Sequence, residues 1–426
     1  PALGLAGAVA RGRAADERHA VDVRRAGRGV LMTAPTTPAA APATPRLADD
    51  VAALLRAGTV IPAQPLALDA DRRLDERRQR ALTRYYHAAG AGGVAVGVHT
   101  TQFEIREHGL LRPAPELAPE VSRATAAGDA PAGSLHTGPR PLVQVAGAAG
   151  DVRQAVAEAE LAASLGYDAV LLAPRVPGLA GSREEVERVL LDRARAVGEV
   201  LPVIGFYLQE AIGGPRLSVG FWREYASIEA VVAIKAAPFH RYRTIDVLRG
   251  VAASGRGDEI ALYTGNDDAI VADLTQRLDV PVTDAEGRAS TFTARFVGGL
   301  LGQWAVWTRG AVETLALAHA AHGVGPDGGA TVPDATALAT LTARAAGLTD
   351  ANAAVFDAAH DFAGVIAGVH EVLRRQGLLD GIWCLDPDET LSPGQADELT
   401  RVTASYPWLV AADDALVAEH LEDWLR

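Results

Sequence analysis

The sequence is poor in lysine: it contains one lysine in 426 residues, and the rest of its 40 basic residues are arginines. The arginine guanidinium does not lose its proton in proteins, whereas a lysine amine can do so and then act as a nucleophile. We therefore interpret the one retained lysine, Lys235, as a residue that arginine cannot replace.

Cysteine and methionine are equally scarce, with one residue of each. The single cysteine, Cys384, excludes an intrachain disulfide framework and a cysteine-based metal site, and it favours a reducing cytoplasmic location. The net charge of −13 argues against a nucleic-acid partner. Because no apolar run approaches the roughly 18 residues of a membrane span, we expect no membrane interaction.

The only methionine, Met32, separates two stretches of different composition. The first 31 residues carry six arginines against three acidic residues, whereas the rest of the chain is strongly acidic. We expect Met32 to be the true start and residues 1–45 to be a disordered or non-native extension. A transit peptide is the alternative, against which the acidic residues count.

Short apolar segments alternate with longer helical patterns after residue 58, which is typical of a parallel α/β sheet. The predicted strands cover residues 59–66, 93–98, 141–146, 168–173, 202–207, 230–235, 259–264 and 296–302. Successive βα units without a reversed strand order favour a closed (β/α)8 TIM barrel, and an open doubly wound sheet is the alternative. The later predicted helices cover 311–321, 335–346, 351–376, 393–403 and 413–425. We thus predict a barrel at residues 46–310 and a C-terminal helical subdomain at residues 311–426.

Lys235 ends an apolar segment that begins at Val231. This is the pattern of a buried strand, and burial lowers the pKa of an amine because it disfavours the ammonium form. A free amine can attack a carbonyl carbon and form a Schiff base. The alternative, a surface lysine without a role, fits poorly with a residue that follows four apolar neighbours.

Catalytic side chains of a barrel project from the carboxyl ends of its strands. Tyr207 ends the predicted strand before that of Lys235, so its phenol could exchange protons with Schiff-base intermediates; a core tyrosine would give the same pattern. Thr100 and Thr101 follow the second predicted strand and could either bind a carboxylate or cap a turn.

Metal and dinucleotide sites are weaker interpretations. His99, His240 and Asp267 could bind a metal ion, but the histidines lack the regular spacing of a zinc site. The glycines at 147 and 150 follow a strand, but they lack the dinucleotide-loop spacing and fit a tight βα turn better. We expect neither a metal ion nor another cofactor.

Tyr207 and Lys235 lie 28 positions apart, and Lys235 follows an isoleucine at a strand end. This pattern resembles the dihydrodipicolinate synthase / N-acetylneuraminate lyase family, whose (β/α)8 barrel carries a Schiff-base lysine on strand six and a catalytic tyrosine on strand five. The segment from His99 to Thr101 resembles the family's Gly-Thr-Thr-Gly-Glu loop, whose threonines bind the carboxylate of a 2-oxo acid and assist a proton relay. Residues 264–268 resemble its strand-seven end, and residues 369–393 resemble its C-terminal helices.

Several positions depart from the family's motifs. His99 replaces the glycine before the threonines. Residues 174–176 read Pro-Arg-Val where the family often has Pro-Tyr-Tyr, so the tyrosine that one subunit lends to its neighbour's proton relay is missing. Ile212 replaces the arginine that binds the aldehyde substrate's carboxylate in dihydrodipicolinate synthase. We therefore expect a divergent member without that particular activity.

The resemblance implies a class I lyase or aldolase that acts on a 2-oxo acid, for which we expect a sugar-derived substrate. Lys235 would form the Schiff base, Tyr207 and Thr100 would transfer protons, and Thr101 would help to hold the carboxylate. The other predicted substrate contacts are His99, Arg175, Gln209, Gly265 and Asn266. The alternatives are a dehydratase with the same iminium chemistry, a non-catalytic sugar-acid-binding protein and a metal-dependent lyase. The resemblance also implies a homo-oligomer, either a dimer or a tetramer.

Overall fold

Seven parallel strands form a curled sheet at the centre of the protein. The computed structural model describes residues 44–283, 287–325 and 328–426, so nearly all of the predicted N-terminal extension lies outside the described residues. The strands of the whole described chain are β1 (Gly93–Val96), β2 (Val143–Ala148), β3 (Ala169–Leu172), β4 (Val203–Leu208), β5 (Val231–Ala237), β6 (Ala261–Thr264), β7 (Leu278–Thr283), β8 (Ala289–Ala294) and β9 (Gly298–Gly299).

The central sheet has the strand order β1-β2-β3-β4-β5-β6-β9, with parallel pairing throughout. Val60 bridges Gly299 at one edge of the sheet, and Ala63 bridges Ala95 at the other. The sequential order is that of a TIM-type barrel and excludes the doubly wound alternative. The predicted first strand, residues 59–66, contributes only these two bridges. It contains Pro62 and a second proline, which cannot donate hydrogen bonds to a strand ladder.

Helices alternate with the strands and then continue beyond them. They are α1 (Asp49–Ala57), α2 (Glu76–Ala89), α3 (Pro113–Ala126), α4 (Val152–Leu165), α5 (Arg183–Gly198), α6 (Val219–Ser227), α7 (Arg241–Ala253), α8 (Ile270–Thr275), α9 (Thr308–Ala321), α10 (Ala335–Val355), α11 (Val365–Arg375), α12 (Gln395–Ser405) and α13 (Pro407–Trp424). Asp151 caps α4, because its carboxylate accepts a hydrogen bond from the Gln154 amide. No helix in the described ranges is long and apolar enough to cross a membrane.

Two regions differ from the prediction. The strands β7 and β8 pair antiparallel in the stretch before β9, where no strand was predicted. The predicted helix over 351–376 is interrupted between α10 and α11, where Asp357, Asp361 and Phe362 have positive φ angles. The C-terminal helices pack against the barrel side, with α13 in contact with α2 and α9. A subdomain boundary at residue 310 stays a prediction.

Alternate residues of each central strand face two separate apolar clusters. The inner cluster fills the barrel and includes Phe206, Ala233 and Ala237. The outer cluster lies between the strands and the helices and includes Tyr207 and Ala236. Since side chains alternate along a strand, this division decides which polar groups reach the inside of the barrel.

Candidate active site

Lys235 lies inside the barrel, between the inward-facing Ala233 and Ala237 of β5. Only 8% of its surface is exposed. Its Nζ lies 4.4 Å from the ring centroid of Phe206 on the neighbouring strand β4. The amine lines a pocket at the carboxyl ends of the strands, as the sequence predicted for this residue.

Gly265 leaves room for this lysine. A Cβ atom at Gly265 would lie 2.5 Å from Cε of Lys235 and 2.8 Å from Cβ of Ala237. Both distances are too short for non-bonded carbon atoms. Gly265 also lines the pocket, so the predicted substrate contact stays a prediction, and the structure adds a steric role next to the amine.

Asp267 is the carboxylate that lines the same pocket. Its Oδ1 accepts a hydrogen bond of 3.0 Å from the Gln303 amide, and 5% of the residue is exposed. The sequence offers Asp267 as a possible metal ligand and as part of the segment that resembles the family's strand-seven end. A carboxylate after an apolar strand gives no sequence signal of its own for a place beside Lys235.

Burial moves both pocket groups towards their neutral forms. It lowers the pKa of Lys235 below the ordinary lysine value, and the negative charge of Asp267 opposes this shift. Burial likewise raises the pKa of Asp267, while the charge of Lys235 opposes that shift. The pair therefore combines an amine that deprotonates readily with a carboxyl group that holds a proton at a higher pH than usual.

Tyr207 does not reach Lys235. Its side chain faces the outer layer, where its ring packs 5.3 Å from that of Trp222 and its hydroxyl oxygen accepts a hydrogen bond from the Leu217 amide. Phe206 is the residue paired directly with Lys235 across the two strands. We therefore do not assign proton transfer to Tyr207, because its phenol and the amine lie on opposite faces of the sheet.

Thr100 and Thr101 are both buried, and each hydroxyl donates a 2.7 Å hydrogen bond to a main-chain carbonyl, of Ala63 and Gln64 respectively. Thr100 also lines the pocket. The Thr101 hydroxyl accepts from the Gly97 amide and fixes the turn after β1. The structure thus brings Thr100 to the site and shows Thr101 in the capping role that was its alternative.

The remaining predicted contacts divide into two groups. His99 and Gln209 line the pocket, and burial together with the charges of Lys235 and Arg175 lowers the pKa of His99 to about 4. Arg175 is exposed, and its guanidinium stacks on Phe103 in an adjacent groove. His99 is therefore neutral near pH 7. Arg175 lies close to His99, but it does not line the pocket that contains Lys235.

Asn266 is buried in a hydrogen-bond network beneath the pocket. Its Nδ2 donates to Thr244 Oγ1 and Asp273 Oδ2, at 3.0 and 2.8 Å, and its Oδ1 accepts from the Phe239 amide at 3.0 Å. These bonds occupy the donors and the acceptor of the amide group. Asn266 thus orders the loop after β5 and is not part of the pocket's lining.

Apolar side chains make up most of the pocket wall and were missed by the sequence analysis. They come from β4 and the turn after it, from the loop after β5, and from the segment between α10 and α11 with the first residue of α11. The larger ones are Phe206, Ile212, Phe239, Phe356, Phe362 and Val365. Only the folded chain brings these sequence-distant residues together.

The metal alternative finds no support in the geometry. His240, one of its three residues, is exposed and lies at the start of α7. Within the described ranges, the His, Cys, Asp and Glu side chains form no group of three that could hold a metal ion.

No protein-family model matches the sequence, and no curated protein matches it by sequence. Solved structures do match. Dihydrodipicolinate synthase from Oceanobacillus iheyensis aligns with a TM-score of 0.59 and 16% identity over 84% of this chain and 99% of its own. N-acetylneuraminate lyase from Fusobacterium nucleatum aligns with a TM-score of 0.59 and 14% identity, over 82% and 99% of the two chains.

A third match is a prophage protein of the dihydrodipicolinic acid synthase family from E. coli K12, solved in complex with pyruvate. It has a TM-score of 0.61 and 15% identity, over 82% of this chain and 98% of its own. The alignments leave almost no part of the known structures uncovered. The protein described here therefore has the TIM-barrel fold of dihydrodipicolinate synthases and N-acetylneuraminate lyases.

Proposed function

We propose that this protein is a divergent member of the dihydrodipicolinate synthase / N-acetylneuraminate lyase family and a class I lyase that forms a Schiff base between Lys235 and a 2-oxo acid. The observation that carries the proposal is the position of the chain's one lysine. It lies inside the barrel, nearly excluded from water, at the carboxyl end of β5. Pyruvate, which the E. coli structure contains, is the simplest substrate of this class.

Lys235 Nζ, as the free amine, attacks the ketone carbon of the 2-oxo acid. The resulting carbinolamine loses water to give an iminium cation. That cation withdraws electrons from the adjacent carbon, so that a carbon–carbon or carbon–oxygen bond can break beyond it. The lowered pKa of Lys235 favours the first step because it raises the free-amine fraction at neutral pH.

Asp267 is the group that we propose for proton transfer. It lines the pocket with Lys235, and its raised pKa lets it hold a proton near neutral pH and release it. A general acid and base works best when its pKa lies near the working pH. The carboxyl group can protonate the carbinolamine hydroxyl as it leaves and then remove a proton from the carbon next to the iminium.

Thr100 and His99 supply a polar side to the pocket, against which we place the substrate carboxylate. The neutral imidazole of His99 has one N–H to donate, and the Thr100 hydroxyl can rotate from the Ala63 carbonyl. Whether the reaction ends in cleavage, condensation or dehydration depends on the substrate, because the iminium serves all three. A sugar-derived substrate stays a prediction.

A non-catalytic binding protein is the second candidate, and Phe206 is the observation in its favour. Phe206 stands beside Lys235 without a hydroxyl group. A sensor would bind the 2-oxo acid, and even form the Schiff base, without exchanging protons at the neighbouring carbon. Exchange of the pyruvate methyl protons with deuterium, followed by NMR, separates the two functions.

We also propose a cytoplasmic homo-oligomer. The free and buried Cys384 suits a reducing compartment, and the family resemblance suggests a dimer or tetramer. Sedimentation of the purified full chain will measure the oligomeric state directly.

Borohydride reduction in the presence of pyruvate tests the Schiff base. The full chain is treated with both reagents, digested and mapped by mass spectrometry. Since the chain has one lysine, Lys235 supplies the only primary amine among its side chains, and peptide mapping assigns an adduct to it without ambiguity. We expect a reduced pyruvate adduct on Lys235 and none in Lys235→Arg; an unmodified Lys235 in folded protein with excess pyruvate contradicts the proposal.

A further inference from the structure

The pocket around Lys235 is unusually rich in phenylalanine. The chain has 8 phenylalanines, and four of them line this one pocket. Phe206 lies beside the amine, and we call the other three, Phe239, Phe356 and Phe362, the aromatic cap. In a protein with 5% aromatic residues, this concentration indicates a surface that an apolar group contacts.

The aromatic cap comes from two separate parts of the chain. Phe239 follows β5, and Phe356 and Phe362 belong to the segment that interrupts the predicted helix between α10 and α11. The rings of Phe239 and Phe362 meet edge to face, with centroids 5.7 Å apart and an interplanar angle of 75°. The two parts of the chain thus build a single wall over the site.

Two residues of the aromatic cap adopt a backbone conformation that bulky side chains rarely accept. Phe239 has φ 48° and Phe362 has φ 69°. Both angles lie in the left-handed region, where glycine would be favoured. Such conformations persist where the surrounding structure enforces them, and they are concentrated at binding and active sites.

Hydrogen bonds hold both residues in place. The Phe239 amide donates to Asn266 Oδ1 at 3.0 Å, and the Phe362 amide donates to the Asp357 carbonyl at 3.1 Å. The buried Asp357 carboxylate in turn accepts hydrogen bonds from the Gly364 amide and the Ser392 hydroxyl. The fold therefore maintains two strained phenylalanines whose rings face the pocket.

The polar groups of the pocket are few. The iminium chemistry uses Lys235 and Asp267, and the substrate carboxylate uses Thr100 and His99. Gln209 is then the one polar side chain of the pocket's lining that is left for the rest of a substrate. A sugar acid buries several hydroxyl groups, and each hydroxyl without a partner weakens binding. The lining does not offer those partners.

We propose that the substrate is a 2-oxo acid whose substituent beyond the carbonyl is a flat apolar group, such as an aryl ring, in contact with the aromatic cap. This inference rests on the proposed Schiff-base function for the orientation of the substrate. It replaces the sugar-derived substrate that we expected from the sequence.

The test compares three probes on the full chain: pyruvate, 2-oxo-4-phenylbutanoate and 2-oxo-3-deoxygluconate. Their dissociation constants are measured calorimetrically without reductant, and their adducts are then trapped with borohydride. We expect the aryl acid to bind at least about tenfold more tightly than the sugar acid, because a buried ring on aromatic side chains adds both apolar area and ring contacts. Equal or tighter binding of the sugar acid overturns the inference.

Phe362→Gly gives the sharpest variant. Glycine accepts φ 69° without strain, so the substitution removes the ring while relieving the backbone. We expect the aryl-to-pyruvate affinity ratio to fall about tenfold in this variant, since the ring contact is lost. Phe362→Leu, which keeps apolar volume, is the matched control and should lose less. An unchanged ratio in Phe362→Gly contradicts the inference.

The two proposals fail in different ways. Failure of pyruvate to modify Lys235 counts against the Schiff base, while calorimetry still decides whether aryl or sugar acids are preferred. A pyruvate adduct together with a preference for the sugar acid upholds the lyase and removes the aromatic substrate.

Discussion

Phe206 lies directly opposite Lys235, and the lysine amine lies 4.4 Å from the centre of its ring. The register between β4 and β5 shifts by one residue near the start of the two strands. Val203 pairs with Val231, but Ile204 pairs with Ala233, so Val232 is an extra residue on β5. Without this irregularity the 28-residue spacing would have paired Tyr207 with Lys235. One inserted residue exchanges the faces of a strand, and it places a phenyl ring where the sequence led us to expect a phenol.

This register predicts that substitutions at Phe206 and at Tyr207 have different effects on deuterium exchange into pyruvate. Phe206→Tyr adds a hydroxyl beside the amine, and we expect deuterium exchange into pyruvate to quicken about tenfold, as an added proton-transfer group can achieve. Tyr207→Phe should leave the exchange rate nearly unchanged and cost about 1 kcal/mol of unfolding free energy, because the Leu217 amide loses its acceptor. NMR exchange rates and denaturant titrations measure the two effects. A large loss of exchange in Tyr207→Phe would return the catalytic role to that phenol.

Asp267→Asn tests the assignment of proton transfer. The amide oxygen can still accept the hydrogen bond from the Gln303 amide, so we expect the protein to fold. Because the side chain no longer gains or loses a proton, deuterium exchange into pyruvate should slow by roughly 10²–10⁴-fold. After long incubation with pyruvate and borohydride, Lys235 should still be labelled, although in fewer than all of the protein molecules. Exchange at the wild-type rate would assign proton transfer to another group.

The buried amine should give the protein a particular pH dependence. Its pKa is lowered from 10.5, so the unfolded chain binds a proton that the folded chain releases in the window between the folded value and 10.5. Stability contributed by this group therefore rises with pH across that window and is smallest below it. We expect Lys235→Met to be more stable than the wild type at pH 7, and the difference to shrink by pH 10. Equal differences at both pH values would indicate an amine with an ordinary pKa.

The same shift determines the pH at which the Schiff base forms. The free-amine fraction rises with pH through the lowered pKa, so the rate of pyruvate labelling at Lys235 should reach its plateau below the pH required by an exposed lysine. Rates of borohydride trapping at a series of pH values measure this profile. A rate that continues to rise through the ordinary lysine pKa contradicts the expected profile.

Gly265→Ala should damage the site for steric reasons only. The added Cβ would lie 2.5 Å from Cε of Lys235, so either the lysine or the strand end must move. We expect a loss of about 1–3 kcal/mol in unfolding free energy, typical of an overpacked core, and slower labelling of Lys235. Gly220→Ala on α6 is the matched control, because only Ser218 Oγ lies near, at 3.6 Å. Similar behaviour of both variants would argue against close packing at Gly265.

The sequence was sufficient to predict the place of Lys235 but not its partner. Four apolar residues before the lysine predicted a buried strand, and the carboxyl-end rule then placed the amine at the barrel mouth. The run from Val203 to Leu208 is buried along its whole length, so it shows no alternation of polar and apolar residues. Such a strand does not reveal which of its side chains face inward, and the extra residue at Val232 carries no sequence signal.

The position of the aromatic cap could not be predicted from the sequence either. The segment between Phe356 and Gly364 has no proline and follows a good helical pattern, so we predicted a continuous helix over 351–376. Tertiary hydrogen bonds to Asp357 outweigh this local preference and turn the segment over the pocket. The antiparallel pair of β7 and β8 was missed because polar residues are frequent in this stretch and indicate a connection. Pro281 lies within β7, and an edge strand tolerates a proline.

A crystal structure of the full chain grown with pyruvate tests the central claim most directly. The account predicts continuous electron density from Lys235 Nζ to the second carbon of pyruvate, with the carboxylate on the Thr100 and His99 side. Pyruvate bound at another place, with Lys235 unmodified at full ligand occupancy, would contradict it.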